Sequence, residues 1–255
     1  MPPARPVPAR AARRRRFARV NLLTSVVLVF PLLIAYQVGL LFAPAAANGA
    51  DLITGRVIAL LGNSGWNWLV FNGALGLVFL VLLLVLRRQQ PVNAGLFLPV
   101  IVESCVYALL VGPIIVSTMA AIGINPKLAL AAAAAGGGAP VNPQQLGPLT
   151  RVALSLGAGV HEELLFRLAM IPALSVVLAR LVGLPRVASL ALAFIVSSLL
   201  FSAAHHVIGG EPWAVAPFVY RFFCGMIFAA LFQFRGLGVA VYTHALYDIY
   251  VMLLR

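Results

Sequence analysis

From Val20 to Phe42 the chain runs twenty-three residues without a charged side chain, and Trp68 to Leu86 repeats the pattern. A run of this kind matches a bilayer core about 30 Å thick, which roughly 20 apolar residues cross as a helix. No water is available there to satisfy backbone N–H and C=O groups, so the segment must close its hydrogen bonds within itself. Five further runs follow: Gly95–Ile122, Val152–Leu178, Val187–His206, Trp213–Phe234 and Leu237–Leu254. The chain is 62% hydrophobic and 9% charged, whereas soluble domains are about 45–50% apolar and about 25% charged. The expected fold is all-α, a polytopic transmembrane helical bundle.

Charge orients that bundle. Seventeen arginines stand against one lysine, Lys127, and seven of them (Arg5, Arg10, Arg13 to Arg16 and Arg19) precede the first run. A nucleic-acid arm is one use for such a cluster. Directly before a transmembrane helix it reads instead as a positive-inside anchor against anionic lipid, and no nucleic-acid partner is expected. Seven spans with a cytoplasmic N-terminus place Arg87, Arg88, Arg180, Arg186 and Arg235 inside, with Arg56, Lys127 and Arg151 outside. An extra span in 43–67 or 123–149 makes eight. A cleaved signal is the alternative for Val20–Phe42. Cys105 and Cys224 have no paired spacing and define neither a disulfide framework nor a CxxC metal site.

The organisation expected is a disordered basic segment over 1–19, two N-terminal helices within 20–94, and a catalytic transmembrane domain over 95–255. Ile53–Leu61 is expected at the interface, and Trp66 and Trp68 mark a membrane boundary. Pro99, Gly112 and Pro113 are expected to interrupt the third helix. Leu128–Ala135 is too short to span unless broken or re-entrant.

The chain has six acidic residues: Asp51, Glu103, Glu162, Glu163, Glu211 and Asp248. Two adjoin inside the apolar run Val152–Leu178, where each ionised carboxylate costs about 2.5–3.5 kcal/mol on insertion scales. All four histidines, His161, His205, His206 and His244, lie in the same C-terminal part. Glu163 and Arg167 are four apart on a helix, share a face and can neutralise each other. Glu162 points about 100° away, with no partner on its own helix. Two readings stay open for it: a general base, or a hydrogen bond to another helix. His244 and Asp248 are also four apart. Helix direction brings the Glu162, His205 and His244 segments to a similar depth. Glu103 has the same two readings, a polar contact between helices or a group facing substrate.

The ordered pattern Glu162-Glu163-x-x-x-Arg167, Phe201-x-x-x-His205, His244-x-x-x-Asp248 resembles the three-motif signature of the CPBP intramembrane proteases. That family includes the CAAX prenyl endopeptidases and the bacteriocin-processing and immunity proteins. Phe166-Arg167 and Arg235-Gly236 agree as flanking details, and the resemblance covers about 150–250. It implies Glu162 as the base that activates water, Glu163 with Arg167 as a brace, and His205 as a residue holding that water. His244 and residue 248 would stabilise the oxyanion. The family pattern usually ends in Asn, and here it ends in Asp248. An ionised aspartate cannot donate to an oxyanion, so it would be protonated, orient His244, or help bind a metal. Glu162, His205, His244 and Asp248 would make a zinc set by ligand type, although a metal-free glutamate mechanism is preferred. His161 and His206 fall outside the motifs and are read as packing residues.

The function expected is an intramembrane endopeptidase in a bacterial inner membrane, its partners the lipid bilayer and a membrane-anchored peptide or protein. Its substrates would include lipid-anchored peptides or C-terminal sorting tails. An ion- or proton-coupled transporter is the second class, disfavoured by the lack of repeats. A non-catalytic immunity protein of the same family is the third.

Overall fold

The computed structural model describes residues 19–42, 65–127, 146–207 and 212–254. All regular structure among these is helical. In chain order, α1 is Leu22–Phe42, α2 Gly65–Leu86, α3 Phe97–Ala121 and α4 Pro148–Glu162. A π-helical stretch, Glu163–Met170, joins α4 to α5, Ile171–Arg180. Then come α6 (Arg186–Val207), α7 (Val215–Arg235) and α8 (Leu237–Leu254). Helices α1, α2, α3, α6 and α7 are long and apolar enough to cross a membrane, and α8 is a shorter apolar helix. The rod from α4 to α5 runs from Pro148 to Arg180. Expectations placed on 1–18, 43–64 and Leu128–Ala135 lie outside the described residues.

The third helix departs from its expected interruption, since α3 is continuous from Phe97 to Ala121. Pro99 falls in the first turn, where no intrahelical partner exists for the missing N–H. Pro113 removes one bond in a helix buried on one face by Val111, Gly112, Ile115 and Met119. Gly112 is not a break: it lies within the helix beside the Tyr247 ring, where an added Cβ would meet Cε2 at 3.6 Å, an ordinary contact.

One pole of the bundle is tied by polar contacts. Asn21 caps α1 by accepting from Thr24 N at 2.8 Å, and donates to Pro91 O at 2.9 Å. Val20 N donates to Arg235 O at 2.8 Å. The α7–α8 reversal turns on Gly236, whose φ of +102° is open to glycine and strained for other residues. This pole therefore holds Arg19, Arg235 and the loop after Arg87-Arg88. Helix α4 runs antiparallel to α1, because Gly39 near the end of α1 touches Ala153 near the start of α4. The end of that rod, Arg180, and the start of α6, Arg186, thus reach the arginine pole as well. At the opposite pole Arg151 donates to Met252 O at 3.0 Å.

The core forms where α4 and α8 pack between α1 and α3. Leu23, Val26, Val29, Leu33, Leu154, Val160, Ala240 and Val241 make one apolar cluster, and α3, α7 and α8 make a second around Ile115, Tyr220 and Phe228. Glu103 contacts another helix. Arg235 donates to it twice, Nε at 2.6 Å and Nη2 at 2.7 Å, and Tyr107 adds a third bond at 2.8 Å.

Candidate active site

Helices α4 and α8 approach closely because glycine meets alanine between them. A Cβ at Gly159 would lie 2.8 Å from Ala245 Cβ and 3.0 Å from its Cα. That contact sets Glu162, three residues along α4, beside His244 on α8. At Glu163 the helix widens into its π-helical stretch, a form concentrated at functional sites. Within it, the Phe166 carbonyl accepts from Ser197 Oγ of α6 at 2.8 Å. A serine thus ties the widened turn to α6.

The two glutamates have different surroundings. Glu163 is fully buried, and its Oε1 is shared by two groups, Arg167 Nη1 at 3.0 Å and His244 Nδ1 at 2.8 Å. Arg167 is held in turn by the Gly225 carbonyl at 3.3 Å and stands over the Phe201 ring at 4.5 Å. Glu162, 3% exposed, has His244 Nε2 at 3.7 Å as its closest basic atom among the described residues. Here Glu163 is the committed carboxylate and Glu162 the uncommitted one.

His244 links the three helices. Its ring stacks on Phe228 of α7, centroids 4.4 Å apart at 16°, and meets the edge of Phe201 from α6. Glu163 can only accept when ionised, so Nδ1 carries the proton of that bond. Nε2 then points at Glu162 and, at 3.5 Å, at Asp248 Oδ2. The expected role of Asp248 as orienter of His244 through an N–H shifts accordingly, since Glu163 holds the oriented nitrogen and Asp248 faces the other one. Sequence spacing favoured the neighbour on the same helix and could not show a carboxylate arriving from α4.

His205 stands next to this cluster, not within its bonded network. It donates Nδ1–H to the Phe201 carbonyl at 2.9 Å, since a carbonyl only accepts, and this leaves Nε2 as the acceptor of a neutral ring. The Phe201 ring touches both His205 and His244. His161 bonds Gly157 O at 2.8 Å and packs edge-on against Tyr36, while His206 packs against Trp213 and Phe218.

Arg221 escaped the sequence reading. It is the one charged residue between Glu211 and Arg235 and lies within electrostatic reach of His205 and Cys224. The signal was available, because a cation inside an otherwise apolar span marks a functional region by default.

The zinc set implied by ligand type is Glu162, His205, His244 and Asp248. Among the described residues no group of three or more His, Cys, Asp and Glu side chains is arranged to hold a metal ion. His244 Nδ1 is engaged by Glu163 and His205 Nδ1 by its own helix, which leaves Nε2 as the remaining ring nitrogen of each.

Fold and site together define a helical membrane protein with an ionisable cluster sunk between its spans. Residues 144–250 match the family described as type II CAAX prenyl endopeptidase Rce1-like. That segment carries all three motifs, and the match supports the CPBP family they resemble. The apolar spans mark an integral membrane protein, and residues 144–250 are similar to a CAAX-type protease family. No curated protein and no solved structure matches it.

Proposed function

We propose that this protein hydrolyses a peptide bond of a membrane-anchored protein or peptide, in a bacterial inner membrane, by water that Glu162 activates. The observation carrying this reading is the inequality of the two glutamates. Glu163 Oε1 is bound by Arg167 and His244, while Glu162 is buried with no cation nearer than 3.7 Å among the described residues. A carboxylate that is buried yet uncommitted can take a proton from water when substrate arrives.

In the proposed reaction Glu162 removes a proton from water as the water oxygen bonds to the scissile carbonyl carbon. The carbonyl electron pair moves onto its oxygen. His244 Nε2, when protonated, donates to that oxyanion, and His205 Nε2 accepts the remaining water hydrogen. Collapse of the intermediate breaks the C–N bond, and Glu162 passes its proton to the leaving nitrogen. An acid and an amine result. General-base action of this kind is worth about 10²–10⁴-fold, and one oxyanion donor about 10²–10³-fold.

The test is cleavage of a membrane-tethered peptide library by purified protein in detergent. Glu162→Gln keeps the shape and removes the base, so the rate should fall by about 10²–10⁴-fold. Unchanged cleavage by this variant would sink the glutamate mechanism. Absence of cleavage by the unaltered protein would sink the protease reading itself.

A further inference from the structure

Among the described residues, exposure around the site rises toward one pole. Toward the arginine pole, Val239, Ala240 and Val241 of α8 are wholly buried and Phe228 is 1% exposed. The deepest polar members, Glu163 and Arg167, are sealed with them. In the other direction exposure rises. Asp248, one turn beyond His244, shows 22% of its side chain, and His205 and Arg221 are partly exposed. His244 has the same polarity, with Nδ1 directed to buried Glu163 and Nε2 toward Glu162 and Asp248. A cavity of about 380 Å³ does exist at the arginine pole, lined by Arg19, Gln90, Pro172, Phe232 and Leu237 among others, but no member of the site borders it.

Charge assigns the two poles to the two sides of the membrane. Arg19, Arg87, Arg88, Arg180, Arg186 and Arg235 gather at one, and Lys127 and Arg151 stand at the other. The positive-inside bias puts the first in the cytoplasm.

We infer that the site opens to the extracytoplasmic face and takes a peptide segment presented there by a membrane-anchored substrate. The inference rests on the proteolytic reading above for the chemistry, and on burial and charge alone for the direction. His244 lies ten residues from Leu254, about 15 Å down α8 from the open pole, and Asp248 about 9 Å down. His244 thus lies near the middle of a core about 30 Å thick, and the segment carrying the scissile bond has to unwind and enter from the open pole to reach it. Tails anchored from the cytoplasmic side face the sealed floor of the site and are excluded.

The direction is measured without catalysis. In a background with Cys105 and Cys224 replaced by serine, single cysteines are placed as Asp248→Cys in the mouth and Arg88→Cys at the arginine pole. Intact cells and inverted vesicles are treated with a small charged thiosulfonate that does not cross membranes. Asp248→Cys should react at least tenfold faster in intact cells, and Arg88→Cys at least tenfold faster in inverted vesicles. Reaction of both from the same side overturns the inference, as does an Asp248→Cys that reacts from neither side. A second arm uses Val207→Cys, at the exposed end of α6, in case replacement of Asp248 disturbs the fold; it should follow Asp248→Cys. These outcomes move or close the mouth without touching the chemistry, which is judged separately by cleavage in detergent, where both faces are open.

Discussion

Asp248 is the residue at which this site departs from the motif pattern it resembles, and the structure gives the departure a physical content. Its Oδ2 lies 3.5 Å from His244 Nε2, the nitrogen proposed to donate to the oxyanion. An ionised carboxylate there competes with the oxyanion for the same proton and offers no donor of its own. Asp248→Asn removes the competitor and adds an N–H, so turnover should rise, by up to about tenfold for a gain near 1.4 kcal/mol. Asp248→Ala, with neither group, should fall below both. Rates on one peptide substrate decide it, and a dead Asp248→Asn would mean that the carboxylate itself does chemistry. Arg167 and Glu163 belong to another category. They are a buried pair, and removal of one partner typically costs about 3–5 kcal/mol because the other charge is left in an apolar interior. Loss of activity on their replacement would report folding as much as catalysis.

At the scale of elements, the contact of α4 with α8 sets the distance between Glu162 and His244. Gly159 allows it, since a methyl group there would press on Ala245 backbone and side chain together. Gly159→Ala should push the two helices apart, lower thermal stability and reduce turnover more than it changes substrate affinity. Ala245→Gly in the same chain should restore part of both. If the double variant is no better than Gly159→Ala alone, the close approach is not what positions the site. The spans themselves were legible: the apolar runs predicted each end to within a few residues, because a bilayer leaves the backbone one solution. The joint at Glu163 was not. Nothing in Glu163–Met170 distinguishes a π-helix from an α-helix by composition, and the widened turn depends on Ser197, which arrives from α6. The misread breaks in α3 came from weighing proline without asking which N–H it removes. Glu162 and Glu163 were separable by spacing, yet the bond from His244 to Glu163 crosses helices 81 residues apart and left no local mark.

Across the whole molecule, polar chemistry is divided between two places. The site holds one set of charges, and the arginine pole holds another in Glu103, Tyr107 and Arg235. The second set clamps α3 to the end of α7 and touches no proposed reacting group. Arg235→Gln should therefore lower the melting temperature in detergent while kcat on a saturating substrate stays close to that of the unaltered protein. A large loss of kcat at a temperature where the variant is folded would show that the clamp sets the geometry of α8 through Gly236.

Helix α1 packs mainly on α4 and is also bonded to the far end of the sequence. Tyr242 Oη reaches Leu28 O at 2.9 Å across 214 residues, and Tyr36 fills the notch left by Gly157. The first helix to be inserted thus waits in the membrane for α4 and then for α8. Until α8 arrives, Glu162 has no His244 facing it and Glu163 lacks its second donor. The docking step that completes the bundle also brings together the groups proposed to react. A chain that lacks α8 should accordingly show none of the proposed hydrolysis.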